Sequence, residues 1–373
     1  MTSGRSGGVL TIDLDAIAAN WRFLKRRLAD GVLCAAVVKA DGYGLGAAPV
    51  ALRLFAEGCR DFFVATTDEG VSLRAALSPS ATIQVLAGVD PATAAPMLDQ
   101  RLVPVLNHLG QIETWREAAR GAGRALPAVL HIDTGMNRLG LPRDELARLS
   151  AEQTLLAGIE TRLVMSHLVN SEVPGDPLND AQRQRFEAAV HILKAGIGAV
   201  PASLANSSGI FLGRAYHFAM VRPGVALYGV NPTPGDPNPM SEVVHLTAKI
   251  LQVRRVDRGE TVGYGATHRL ARPSRIAVVA AGYADGYLRS ASNRASARLG
   301  GLNVPVVGRV SMDLITLDVT DVPEALALPG RDVDLLDSDY TAERLAADAG
   351  TNPYEILTAL GRRYERRYIG AVS

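Results

Sequence analysis

The sequence predicts an α/β chain with an N-terminal (β/α)8 TIM barrel and a second, mostly β C-terminal domain. Three observations carry this. Short apolar runs suited to buried parallel strands recur eight times, at residues 32–38, 61–66, 82–87, 102–106, 128–132, 161–166, 202–205 and 218–221, with helix-like patterns between them. A stretch rich in Pro, Gly, Asn and Asp, 231–239, then interrupts the pattern. Beyond it, strand-like runs at 246–253, 275–281, 304–310 and 314–319 follow one another without helices between them. A length of 373 residues suits a barrel of about 250 residues with a smaller companion. The expected boundaries are 10–230 for the barrel and 240–373 for the β domain, which residues 1–9 are free to join.

Taken in order, Leu14, Ile17, Trp21, Leu24 and Leu28 alternate spacings of three and four with basic residues between them, an amphipathic helix over 14–30. The valine-rich run 32–38 follows and ends at Lys39, after which Gly42, Gly44 and Gly46 alternate. A strand-end lysine is ordinarily a snorkelling side chain, and its commonest chemical use is an imine with a carbonyl compound. The segment is no P-loop, because there the lysine follows the glycines, and its third glycine comes one residue too early for a dinucleotide fingerprint.

In a parallel barrel, chemistry sits where the strands end. Polar residues collect at those points: Lys39 after the first strand, 133–138 after the fifth, Ser166 and His167 at the sixth, 206–209 at the seventh and 222–225 at the eighth. Each alone reads as an ordinary loop, but five strand ends converge. Past the boundary, helical character returns at 341–349 and near 354–360.

Composition excludes several classes. The net charge is +1 and no basic stripe is interleaved with aromatics, so nucleic acid is not an expected partner. No apolar stretch reaches the roughly 18 residues of a membrane span, and a cytoplasmic chain is expected. Cys34 and Cys59 fit small buried hydrophobes, and neither CxxC nor HExxH occurs, so no metal is expected. Residues 4–8 match a nucleophile-elbow pattern but lack its strand-turn-helix setting.

The segment 38–44, Val-Lys-Ala-Asp-Gly-Tyr-Gly, resembles the pyridoxal-phosphate (PLP) lysine motif of alanine racemases. Further motifs resemble that family in order: 133–140, Asn206-Ser207, 221–224 with Tyr228-Gly229, 264–267, 282–286, 308–313 and 352–354, so the likeness spans about 10–368. The resemblance implies a PLP-dependent two-base interconversion of L- and D-alanine, supplying D-alanine for peptidoglycan, in a homodimer with shared sites. It implies Lys39 as the PLP-bearing lysine and one base, with Tyr264 as the other. Tyr43, His167, Asn206, Ser207, Arg222, Gly224, Val225 and Tyr354 are implied to bind the cofactor, with Arg222 on the pyridine nitrogen. Arg138, Met312, Tyr283 and Asp313 are implied to meet the substrate. Since an ordinary tyrosine has a pKa of about 10, cations must favour the Tyr264 phenolate, and His167 and Arg222 are the expected source.

Four positions depart from the family: Asp41, Leu45, Ser203 and His131. Ser203 is expected to shorten the network behind Arg222. His131 stands where many members have a lysine that becomes carbamylated, which histidine cannot do. Competing readings are a same-fold racemase of serine or another amino acid, a PLP-dependent decarboxylase, and a non-catalytic PLP carrier. Decarboxylases of this architecture resemble a pattern with glutamate at the pyridine nitrogen and a cysteine in the second domain, and a carrier would lack the second domain.

Overall fold

The computed structural model describes residues 7–370, apart from the side chain of Gln153. Residues 1–6, part of the 1–9 segment and of the 4–8 elbow pattern, lie outside the described residues. The chain forms two compact units, one of residues 17–42 with 46–241, the other of 7–16, 43–45 and 242–370.

The first unit is the expected barrel. Parallel strands at Ala36–Val37, Asp61–Val64, Thr82–Val85, Val103–Leu106, Leu126–His131, Ile159–Met165 and Ala202–Ser203 pair in chain order. Continuous apolar sequence makes them: Phe62, Phe63, Val105, Leu130 and Val164 are all buried, as strands covered on both faces require. The last strand, Met220–Val221, pairs in parallel with Leu33–Cys34. Ala219 N and Arg222 N donate to Ala202 O and Ala205 O at 3.0 and 2.9 Å, which joins that strand to the seventh and closes the circle.

The expected first strand, 32–38, is therefore split at Ala35. Its first half faces the eighth strand and its second half the second, as the stagger of a closed barrel demands. Leu14–Arg26 is the amphipathic helix of the N-terminal region, with Leu14, Ile17, Trp21 and Leu24 buried.

In the second unit the central strand is the long Val244–Val256, which pairs antiparallel with Gly8–Asp13, Ser274–Val279 and Asp332–Leu336. Gly8–Asp13 also pairs in parallel with Glu365–Ile369, so the described start of the chain completes this sheet. Helices Ala342–Ala349 and Pro353–Ala359 fall close to the expected helical segments. The expected strand 304–310 is displaced to Leu302–Pro305 and shares only Val304 and Pro305 with it, the chain turning further on at Gly308, whose φ is +79°.

Candidate active site

Lys39 leaves the first strand half-buried and enters a backbone that side-chain-bearing residues avoid. Ala40, Asp41, Gly42 and Tyr43 have φ of 54, 53, 64 and 55°, four successive left-handed residues. Left-handed geometry costs about 1–2 kcal/mol per side-chain-bearing residue, so the run persists only because its surroundings enforce it. Gly42 N bonds Val38 O at 2.9 Å, Gly46 N bonds Asp41 O at 2.7 Å, and the Asp41 carboxylate accepts from Ala47 N at 2.9 Å. Glu69, which the sequence did not single out, accepts from Ala40 N and Ala65 N at 2.8 and 2.7 Å and ties the turn to the second strand. Burial, then the Arg138 charge, lower the Lys39 pKa against the opposing pull of Glu69. The amine is thereby eased toward its neutral, nucleophilic form.

Arg222, 4% exposed, lies behind the same mouth. Its Nη2 donates to Ser166 O at 2.5 Å and Leu204 O at 3.5 Å, and its Nη1 donates to Ser203 Oγ. Ser203 Oγ in turn donates to Met220 O at 2.7 Å. The network behind Arg222 thus ends on backbone after one side chain, as the serine led one to expect. Burial lowers Arg222 to about 9, which leaves it a cation at neutral pH.

His167 departs from expectation. Burial, with Arg222 the leading charge, holds its pKa well below the ordinary value and so disfavours the imidazolium that was expected to add positive field.

Asp133 organises the loop that carries Arg138, its carboxylate accepting from Gly135 N and Met136 N at 2.9 Å and from Asn137 N at 3.0 Å. Behind it, Asn107 Nδ2 donates to Val105 O at 2.9 Å and Leu86 O at 3.1 Å, which turns the amide oxygen toward His131. His131 Nδ1 meets that oxygen at 2.7 Å, so Nδ1 carries the proton and Nε2 keeps a free lone pair. Burial, then the Arg222 charge, lower His131 to about 4. At neutral pH His131 is therefore uncharged.

Two expected cofactor contacts also serve the scaffold. Ser207 Oγ accepts from Gly224 N and Ala226 N at 3.0 and 3.3 Å, so the Gly224 amide is already engaged. Asn206 Oδ1 accepts from Gly209 N and Ser171 Oγ at 2.9 and 2.8 Å, capping the turn that follows. Val225 opens the short 3-10 turn Val225–Tyr228, whose Tyr228 hydroxyl donates to Val37 O at 3.1 Å. Gln182 was likewise not anticipated: its amide donates to His167 O at 3.0 Å and Thr134 Oγ1 at 3.1 Å, pinning two strand ends.

The second unit holds the remaining candidates. Tyr43 and Tyr354 lie with ring centroids 6.3 Å apart, and burial raises the Tyr43 pKa. Gly44, φ +84°, brings backbone against the helix of Tyr354, where a Cβ would meet Leu357 O at 2.3 Å. Tyr264 is 72% exposed on a single turn, with Arg309 packed against Gly265. Tyr283 N and Ala284 N donate to Ser311 O and Met312 O at 3.0 and 2.9 Å, setting the loops of Tyr283 and Met312 side by side. The Asp313 carboxylate, expected at substrate, is held by Arg363 at 2.7 Å, which also meets buried Asp285 at 2.9 Å.

The donor set fits pyridoxal phosphate. Lys39 offers an amine of lowered pKa, and Arg222 Nε has no acceptor among the described residues, a donor left for a ring nitrogen. A barrel with these groups at its strand ends defines a PLP-dependent enzyme of the amino-acid racemase class.

Residues 12–232 match the family described as alanine racemase, N-terminal domain, and residues 243–368 match alanine racemase, C-terminal domain. An alanine racemase of Rhodospirillum rubrum is 53% identical over 366 residues, covering 98% of this chain and 97% of its own. A catabolic alanine racemase of Mesorhizobium japonicum is 45% identical over 370 residues, covering 99% and 95%. The crystal structure of alanine racemase from Bartonella henselae with covalently bound pyridoxal phosphate matches with a TM-score of 0.92 at 38% identity, over 98% of this chain and 100% of that one. The chain belongs to the alanine racemase family.

Proposed function

We propose that the protein interconverts L- and D-alanine with pyridoxal phosphate carried on Lys39. The observation that supports this most is the Lys39 amine, its ammonium disfavoured by burial and by Arg138, at a barrel mouth shared with cationic Arg222. The cofactor, when bound, supplies an electron sink that makes the substrate's Cα–H acidic enough to remove. Inversion then needs a base on each face. Lys39 Nζ takes or returns the proton on one face and Tyr264 Oη on the other, with Tyr283 and Met312 narrowing the approach and Arg138 holding the substrate carboxylate. Arg222 has only N–H donors and a pKa of about 9, so it would bond a ring nitrogen without protonating it and keep the sink moderate. Tyr43, Ser207, Tyr354 and the Gly224–Val225 backbone would hold the phosphate, the Gly224 amide turning from Ser207 Oγ to do so, and His167 would lie against the ring, with Asn206 and Asp313 fixing the loops around it.

The working unit is a homodimer in which the partner's Tyr264 serves Lys39, and the D-alanine formed in the cytoplasm supplies peptidoglycan. A chiral assay across a panel of L-amino acids, with borohydride reduction and peptide mapping, tests the reading. D-alanine should form fastest and the pyridoxyl group should map to Lys39. Faster turnover of another amino acid, or label on another lysine, would overturn it.

A further inference from the structure

At the end of the barrel opposite Lys39, where the strands begin, lies a cavity of about 590 Å³, within the range of small-molecule sites. Its lining is of two kinds. Val103, Val129 and Leu163, from three adjacent strands, make an apolar wall. Asp61, Gln84 and three arginines, Arg74, Arg101 and Arg162, supply its polar groups.

The acceptors are unmet. Gln84 is 3% exposed and donates through Nε2 to Asp61 Oδ1 at 3.0 Å, yet its own Oε1 has no hydrogen-bond partner. Asp61 has no ion-pair partner among the described residues, and burial raises its pKa, the response of a carboxylate lacking a cation. Two neighbouring acceptors therefore call for a charged N–H donor.

The cations are in excess. Arg162 is paired with Glu160 at 2.8 Å, and Arg74 is spent on the carbonyls of Gln100 and Ala81 at 3.0 and 2.9 Å. Arg101 has no carboxylate partner among the described residues, and after burial its charge is what lowers the Arg74 pKa. It also holds φ +51° just past the helix Ala94–Asp99, where glycine is usual.

We propose that this cavity binds a free α-amino acid with an apolar side chain: ammonium on Asp61 and Gln84 Oε1, carboxylate on Arg101, side chain against Val103, Val129 and Leu163. Neither polar half suffices, since a simple anion leaves the buried acceptors unmet and a simple amine leaves Arg101 unopposed. A ligand here sits at the other end of the strands from Lys39 and does not compete with alanine.

The test is calorimetry on the PLP-loaded protein with L-leucine and L-phenylalanine. Leucinamide, lacking the carboxylate, and 4-methylpentanoate, lacking the ammonium, serve as controls. At least one amino acid should bind saturably. Its analogues should bind at least tenfold more weakly, as should the amino acid to Gln84→Leu and Arg101→Ala, with alanine turnover unchanged. A crystal soaked in L-leucine gives a check independent of the variants, with density expected between Asp61 and Arg101. The proposal is overturned if neither amino acid binds, if both variants bind as tightly as the parent, or if density appears only at the Lys39 end or as water alone in the cavity.

Discussion

Replacing His131 by glutamine removes a titrating group while keeping an N–H donor for Asn107 Oδ1. Because His131 is held at about 4 against an ordinary 6.5, the unfolded chain takes up its proton first. Stability therefore falls as pH drops through 6.5, and the loss levels off below about 4. At ~1.4 kcal/mol per pH unit the full loss is about 3 kcal/mol, of which about 2 kcal/mol is already felt at pH 5. The glutamine variant lacks this contribution but keeps every other titrating group, so carboxylates largely cancel in the difference. The measurement is urea unfolding of both proteins, PLP-loaded, at intervals from pH 7.5 to 4.5. The wild-type advantage should shrink by about 2 kcal/mol between pH 7.5 and 5. A difference constant to within about 0.5 kcal/mol would refute the reasoning, since it would mean that His131 titrates alike in both states.

Three other outcomes follow from the geometry. Gly44→Ala places a Cβ 2.3 Å from Leu357 O at a positive φ, and should destabilise by about 3 kcal/mol or more, read as a fall in Tm of several degrees; an unchanged Tm would show that the helix yields freely. Ser203→Ala strips Arg222 Nη1 of its acceptor and should cost about 1–3 kcal/mol, while Ser203→Thr, which keeps the hydroxyl, should recover most of it in the same unfolding assay. Lys39→Ala and Tyr264→Phe, each inactive alone, should regain activity when co-expressed, because a heterodimer with shared sites contains one intact pair. Confirmed heterodimers without activity would reject sharing.

The barrel was legible because short apolar runs recurred eight times with helix-like patterns between them, and the strand ends then placed Lys39, His167, Ser207 and Arg222 at one mouth. The second unit was less so. Asp332–Leu336 and Glu365–Ile369 are short strands carrying several charges, and their partners Val244–Val256 and Gly8–Asp13 are distant in sequence. Within the site, Ala40, Asp41 and Tyr43 gave no hint of positive φ, since that conformation is imposed by Glu69 and the backbone around it rather than by residue type. Asn107 and Gln182 escaped notice for a related reason. Their partners His131 and Thr134 lie 24 and 48 residues away, and buried amides carry no local pattern. That the His167 imidazolium is disfavoured could not be read without knowing its surroundings, Arg222 among them.

The closing seam of the barrel is thin. Leu33, Ala35 and Val37 donate to Ala219, Val221 and Pro223 across it at 2.9–3.0 Å, whereas six registered pairs join Leu126–His131 to Ile159–Met165. Next to that well-paired junction the amides of Leu33 and Ala35 should take up deuterium well before those of the fifth and sixth strands. The seam runs up to Lys39 on one side and Arg222 on the other. Any molecule gripped by both acts as a clasp across it, so stripping the cofactor should speed deuterium uptake along this seam.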